Sequence, residues 1–462
     1  MKLKLIAALS AIWGISLNGF PQTLKLEDAI TRAVEQYDQI KSKQFVAAAA
    51  RQHTFFQKQQ YLPDLTIAAQ QSFGTINAQH GPMYAYGGLA SGATSMPLAE
   101  QNWNAAFGSL YFANINWNLY TFGRIKNQVL LGSMKEQTTE ADLTQEVFQH
   151  KIKTSATYLN LLASQRIKYV QEKNLNRAQV FYEMTAARAE SGLIADVDAQ
   201  LAKAEVSNAK SLQIKSYDKE LEYSKQLALL LNDDFKTYQL DTVYNTSIPN
   251  SLATQHVNLI EQHPFLLLQN SKINESIQTE EVLKSNRLPS VSAFGVIQGR
   301  GTGFDWNYIQ DNTAYSTNYL KGIGVNRANY LLGFSLNWNL TNIFRFDTKT
   351  KEQKLYTQAV QIEYEKYKKD FLAQSLLADS QLKNAIDNFE ETRIQLSAAR
   401  LAYKQHHALY ENGLTTLVDY TQALYSLNRA EIDYEIAQNN VWQALLLLAA
   451  AQGDFNIFIH HS

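Results

Sequence analysis

His407 and Glu411 stand four residues apart with His406 beside them, so one helix face offers a metal ion two or three donors. No second ligand group accompanies them, and a solvated helix surface accounts for the cluster equally simply. His460-His461 lies in a C-terminal tail. Gly299 to Gly303 is glycine-rich, yet it follows a strand-like segment and opens no helix, as a phosphate-cradling loop would have to do. No nucleophile elbow is present. The chain has no cysteine, which removes a catalytic thiol, a thiolate metal site, a disulfide framework and an N-terminal lipid anchor. These residue types assemble no catalytic centre, so the chain is read as a non-enzyme without cofactor or resident metal.

The elements around them explain more. Lys and Arg total 42 against 43 Asp and Glu, a formal charge of -1, and this balance excludes a nucleic-acid binder that must displace phosphate counterions. Lys2 and Lys4 precede an apolar run from Leu5 to Leu17, broken by Ser10, Gly14 and Ser16. At about 13 residues that run is too short to span a bilayer as a helix and reads as an export signal. No later apolar run is long enough to span one; Leu445–Ala451 comes nearest. An exported chain of this kind is either soluble or inserted as a β-barrel.

The chain repeats itself. Tyr61-Leu62-Pro63-Asp64-Leu65 is echoed by Arg287-Leu288-Pro289-Ser290-Val291 at an offset of 226. Trp117-Asn118-Leu119 recurs as Trp338-Asn339-Leu340, and Glu190-Ser191-Gly192-Leu193 as Glu411-Asn412-Gly413-Leu414, both at 221. Val197-Asp198 and Val418-Asp419 keep that spacing, as do Asp233 and Asp454. The division that follows is an export signal (1–22), a first repeat (23–233), a linker (234–256), a second repeat (257–454) and a short tail (455–462).

Each repeat opens with a helical stretch, Leu26 to Gln60 and Leu259 to Asn286, ended by the Leu-Pro dipeptide. Strand-like alternation follows. Leu65, Ile67, Ala69 and Phe73 are apolar at odd positions, and so are Phe107, Tyr111, Ala113, Ile115, Trp117 and Leu119, which alternate with Asn114, Asn116 and Asn118. In the second copy Tyr330, Leu332, Phe334, Leu336, Trp338 and Leu340 alternate with Gly333, Ser335, Asn337 and Asn339, while Ser290 to Gln298 keeps no single parity. The paired strands are separated by loops of about Asn77 to Asn104 and Gly299 to Asn329, too long for a compact domain but usual on the outside of a membrane barrel. Long helices come next, about Gly123 to Glu190 and Arg345 to Glu411, the second on the order of 100 Å long. After Gly413 the spacing of Leu417, Tyr420, Leu424, Leu427, Glu431, Tyr434, Gln438, Val441, Leu445 and Leu448 predicts a coiled-coil seam. The stretch after Gly192 matches it weakly.

Four strands cannot close a barrel around a channel, and an open sheet would leave unpaired edges in lipid. Several copies must share one barrel; three would supply twelve strands. Tyr111, Trp117, Tyr120, Tyr330, Phe334 and Trp338 then suit an aromatic belt at the lipid boundary, and the asparagines suit a face lining water.

With these features in hand, the chain resembles the TolC family of outer-membrane efflux proteins. The resemblance runs from Leu24-Lys25-Leu26-Glu27-Asp28-Ala29 through Leu62-Pro63 to Gly453-Asp454, and the two Gly-Leu motifs carry it most specifically. It implies a mainly α fold with transmembrane β: two α-β-β-α repeats and a trimeric 12-stranded β-barrel on a long periplasmic helical barrel. It also implies a passive homotrimeric conduit in outer-membrane lipid, opened by a periplasmic adaptor and fed by an inner-membrane transporter. The glycines Gly192 and Gly413 suit helix-ending turns on their own account. The resemblance adds that Gly192, Leu193, Ile194 and Ala195, with Gly413, Leu414, Thr415 and Thr416, dock the adaptor. It further implies a pore constriction at Asp419, where the family carries a second aspartate that is Gln422 here. A helix N-terminal carboxylate favoured by the dipole accounts for Asp419 equally well. Tyr410 and Asp198 match a hydrogen-bonded lock in the family, while Thr415 stands where a salt-bridging arginine is usual, which implies a weaker lock. The gate is expected in the second repeat, with the first as fixed wall. The competing function is a soluble periplasmic coiled-coil scaffold without a pore. The exported substrate is left open.

Overall fold

The structure, a computed structural model, describes residues 23–77, 96–249 and 260–459. The export signal, most of the first long loop and His460-His461 fall outside the described residues. In chain order the elements are α1 (Leu26–Gln36), α2 (Asp38–Gln59), β1 (Asp64–Thr75), β2 (Ala105–Tyr120), α3 (Arg124–Glu190), α4 (Asp196–Leu231) and the short α5 (Val243–Thr246). Then follow α6 (Pro264–Ser285), β3 (Ser290–Thr302), the short α7 (Tyr319–Ile323), β4 (Arg327–Asn337), α8 (Thr341–Glu411), α9 (Leu417–Gln452) and α10 (Asn456–Ile459). The helix–strand–strand–helix order expected of each repeat is present twice. Among the described residues no helix is long and apolar enough to cross a membrane.

Two compact units cut across the repeats. One comprises residues 48–137 and 272–360 and holds the strands. Its single sheet has the order β1-β2-β3-β4, every pair antiparallel. The register gives the sheet one mainly apolar face and one of mixed character that carries most of the polar side chains, with Leu110, Phe112, Val296 and Leu331 among them. Leu65, Ile67 and Ala69 lie opposite Ile115, Ala113 and Tyr111, and these in turn lie opposite Gly295, Ile297 and Gly299. Across β4 the same face carries Leu332, Tyr330 and Ala328, with Phe334 and Leu336 beyond. The opposite face carries Thr66, Gln70, Asn114, Asn116, Ser292, Gln298, Asn329 and Ser335.

The irregular parity of β3 has a steric cause. A side chain at Gly295 would meet Leu332 at 2.9 Å and Ile115 at 3.0 Å, so the glycine admits its two large neighbours. Phe294 sits on the polar face because its ring covers Gly333, where a Cβ would stand 2.8 Å away. The second loop is shorter than expected: β3 continues to Thr302, and α7 folds back along the sheet. Gly322 lies against Phe107, the Ser109 hydroxyl donates to Ile323 O (2.9 Å), and Tyr319 donates to Gln71 (2.7 Å).

The other unit comprises the described residues of 1–47, 138–271 and 361–462. Its core joins Leu26, Ala29, Ile30 and Ala33 to Tyr158, Leu161, Leu227, Leu231, Trp442 and Leu445. The first helical stretch breaks at Tyr37, whose backbone is extended and whose ring stacks on His150 at 3.9 Å. The segment after α4 packs on this core: Leu24 pairs with Leu240, the Tyr158 hydroxyl donates to Leu24 O (2.7 Å), and Trp442 Nε1 donates to Tyr244 O (2.9 Å). Along α9, Leu417, Tyr420, Leu424, Leu427, Gln438, Val441, Leu445 and Leu448 are buried, the face expected from their spacing.

Candidate functional site

The two Gly-Leu turns have one backbone design. Gly192 (φ +72°) and Gly413 (φ +74°) take the left-handed conformation that ends α3 and α8. Leu193 N–H donates five residues back to Arg188 O (2.9 Å), and Leu414 N–H to Leu409 O (2.8 Å), the Schellman closure of a helix end. In that motif the residue after the glycine usually packs back on its own helix. Here Leu193 and Leu414 are 74% and 73% exposed, and Val197 and Val418 beside them are exposed as well. Each turn therefore presents a small apolar knob to its surroundings.

The starts of the following helices differ. Thr416 caps α9: Asp419 N–H donates to the Thr416 hydroxyl (3.2 Å), which donates to Asp419 Oδ2 (2.6 Å), and Thr416 N–H donates to the same oxygen (3.3 Å). The Thr415 hydroxyl adds a further bond to that carboxylate (3.2 Å). The Thr416 hydroxyl and N–H, with Thr415, hold the Asp419 carboxyl below its ordinary value. Gln422 is exposed one turn farther along α9. In α4 the corresponding cap is Ala195, which has no hydroxyl to offer.

Tyr410 and Asp198 share no hydrogen bond among the described residues. Tyr410 is buried against Phe181 and Tyr420, at ring distances of 5.4 Å each, and Asp198 is only partly covered. The connection between the turns is made instead by Arg188 of α3. Its guanidinium donates to Tyr410 O (3.0 Å) and Glu411 O (2.6 Å) and lies over the Tyr410 ring. It thus adds a charged donor to two carbonyls of the helix C-terminus, of which Tyr410 O also accepts from Gly413 N–H (3.0 Å). Behind it, Arg177 grips Glu431 through both oxygens (3.2 and 2.6 Å), Arg166 reaches Glu435 (3.4 Å), and Tyr425 donates to Glu205. Sequence reasoning named Glu431 only as a seam position and missed the others, because lone arginines and tyrosines on long helices carry no spacing signal. His407 pairs with Glu411 at 3.4 Å and stacks on Tyr403. Among the described residues no group of three or more His, Asp or Glu is disposed to hold a metal ion.

No protein-family model matches the chain, and no curated relative matches it. Solved structures do. CusC, described through its transmembrane channel formation, superposes with a TM-score of 0.75 at 14% identity, over 93% of this chain and 92% of its own. The outer-membrane channel OprN gives 0.74 at 17%, over 93% and 89%. The outer membrane protein VceC of Vibrio cholerae gives 0.73 at 14%, over 93% and 96%.

The chain has the fold of these outer-membrane channels. Within that fold the aromatic residues singled out by sequence divide into two groups. Tyr330 and Phe334 stand free on the apolar face at 79% and 76% exposure, and Tyr120 at the end of β2 is exposed too. Trp117 and Trp338 are instead anchored. Each indole N–H donates to the carbonyl before a Leu-Pro pair, Trp117 to Tyr61 O (2.9 Å) and Trp338 to Arg287 O (3.0 Å). Trp338 lies just past β4. Tyr111 is tied to α7's end through its hydroxyl, which donates to Ile323 O (3.4 Å) and accepts from Gln71 (3.1 Å).

Proposed function

We propose that the chain is the outer-membrane exit channel of a tripartite export system, a passive conduit and not an enzyme. The observation that carries this reading is the sheet. One face is apolar and exposed, with Ile67, Leu332, Phe334 and Leu336 each at least 67% accessible, and the strand order leaves β1 and β4 with an unpaired edge each. Water makes such a face unfavourable, and lipid makes such edges intolerable. Pairing β4 of one copy with β1 of the next satisfies the edges, three copies close a barrel of twelve strands, and the apolar face then meets lipid. A scaffold standing in the periplasm would have no reason to expose this face.

The exposed Leu193 and Leu414 turns suit contact with a periplasmic adaptor, which would couple the conduit to an inner-membrane transporter. Asp419, with Gln422 beyond it, suits the constriction that the adaptor relieves, and Asp198, Tyr410 and Thr415 are the further gate residues that the family resemblance implies. The test is membrane fractionation followed by reconstitution of the purified protein in planar bilayers. A heat-sensitive trimer in the outer-membrane fraction that conducts ions supports the proposal. Quantitative recovery as a soluble protein overturns it in favour of the scaffold.

A further inference from the structure

The strands carry almost no charge. Asp64, Arg300 and Arg327 are the only Asp, Glu, Lys or Arg residues in the four of them. The register sets Arg300 directly opposite Arg327. Like charges facing each other across two strands are unfavourable, and neither guanidinium has a hydrogen bond or ion pair among the described residues. Their row continues through Leu110 to Gln70, and the adjacent row holds Gln298 and Asn329, so no strand carboxylate offsets them. Asp64 is six residues from Gln70 along β1, on the order of 20 Å away. Of the nearby loop carboxylates, Asp305 is held by Lys321 (3.1 Å) and Asp311 by Thr313 (2.6 Å), while Glu100 is exposed outside the strands. An uncompensated pair of this kind costs stability, and such costs concentrate at functional positions.

We propose that Arg300 and Arg327 form an anion-binding collar at the loop end of the conduit, a site that rests on the channel reading above. They lie on the same sheet face as Asn114, Asn116 and Asn329, opposite the apolar face, and so face the water of the lumen. Two adjacent guanidinium forks suit the oxygens of a carboxylate, sulfate or phosphate group. Three copies would set six of them in one ring, the arrangement by which pores select anions. The ligand is a solute anion passing the mouth.

Calorimetric titration of the detergent-solubilised oligomer with inositol hexakisphosphate tests this without needing an open pore. Saturable, salt-sensitive binding is expected, weakened at least tenfold in the Arg300→Gln/Arg327→Gln double variant. The same variant should melt no lower than wild type, because removing the facing charges relieves repulsion, so lost binding cannot be ascribed to misfolding. Equal binding by variant and wild type, or none by the folded wild-type oligomer, overturns the collar. Binding to phosphatidylglycerol vesicles alone, with none to the free hexakisphosphate, overturns it as well by assigning the pair to lipid. A chain that forms no conducting oligomer at all would instead defeat the channel reading, and bilayer recording distinguishes the two failures.

Discussion

The first and second helix-ending turns share a backbone and differ in how they are fastened. Both close with a left-handed glycine, and both leave a leucine exposed. Beyond that, the second turn is held from two sides. Its outgoing helix starts with a Thr416–Asp419 capping box, and its incoming helix ends on Arg188, supplied by the first repeat. The first turn has Ala195 at the equivalent cap and no such box. The two turns thus share the backbone geometry, which the chain path requires, and differ in their fastening. The asymmetry makes the second turn the held element and Arg188 its clasp. The lock suggested by family resemblance, between Tyr410 and Asp198, is not closed within the single chain.

The largest break in this comparison should come from Arg188→Ala. It strips a charged donor from two helix-terminal carbonyls, on the order of 2 kcal/mol. The expected outcome is faster amide exchange at the end of α8, with a smaller change at the end of α3, whose last turn holds Arg188, and, under the proposed channel function, more frequent openings in bilayers. Unaltered conductance together with unaltered exchange would remove Arg188 from the account. Next come the glycines: Gly192→Ala and Gly413→Ala each force a Cβ into a left-handed turn at about 1 kcal/mol. Matched losses in thermal stability are expected, since this feature is common to both turns.

The cap itself can be moved. Thr416→Ala should destabilise the second turn by about 1 kcal/mol, whereas Ala195→Thr, placed three residues before Asp198, should stabilise the first by about 0.5 kcal/mol. Hydrogen exchange at the first turns of α4 and α9 reads both, and a loss in α9 without a gain in α4 would show that the caps are not equivalent sites. The smallest effect is that of acid. Because Asp419 has a lowered folded-state pKa, its share of the cap is present above its ordinary carboxyl value and is lost as pH falls through the lower folded value. Exchange at the start of α9 should therefore lose protection, relative to α4, as pH falls through and below the ordinary carboxylate range.

Much of this architecture was legible because its signals are local and repeated. The offsets of Trp117 to Trp338 and Gly192 to Gly413 identified two copies, and period-two alternation located the strands within a few residues. The break at Tyr37 was not legible, because it depends on a ring stack with His150, more than a hundred residues away. Nor was the role of Trp117 and Trp338 as clamps on the Leu-Pro turns, since an exposed-looking tryptophan on a strand also suits a lipid boundary. The β3 parity failed for a similar reason: Gly295 and Phe294 answer to side chains on neighbouring strands and not to their own sequence.

By itself the sequence determined the repeat, the alternating strands, the glycine turns and the absence of any thiol chemistry. These follow from backbone preference and periodicity, which act over a few residues. Only the tertiary structure decided which partners meet. It brought Arg188 to the end of α8 and set Arg300 against Arg327. Arg188 and Tyr410 stand 222 residues apart on two helices, brought together by helix packing, while Arg300 and Arg327 sit on consecutive strands whose register sets them face to face. The capping box is local, but Asp198 in the matching place lacks it, and a single hydroxyl makes that difference.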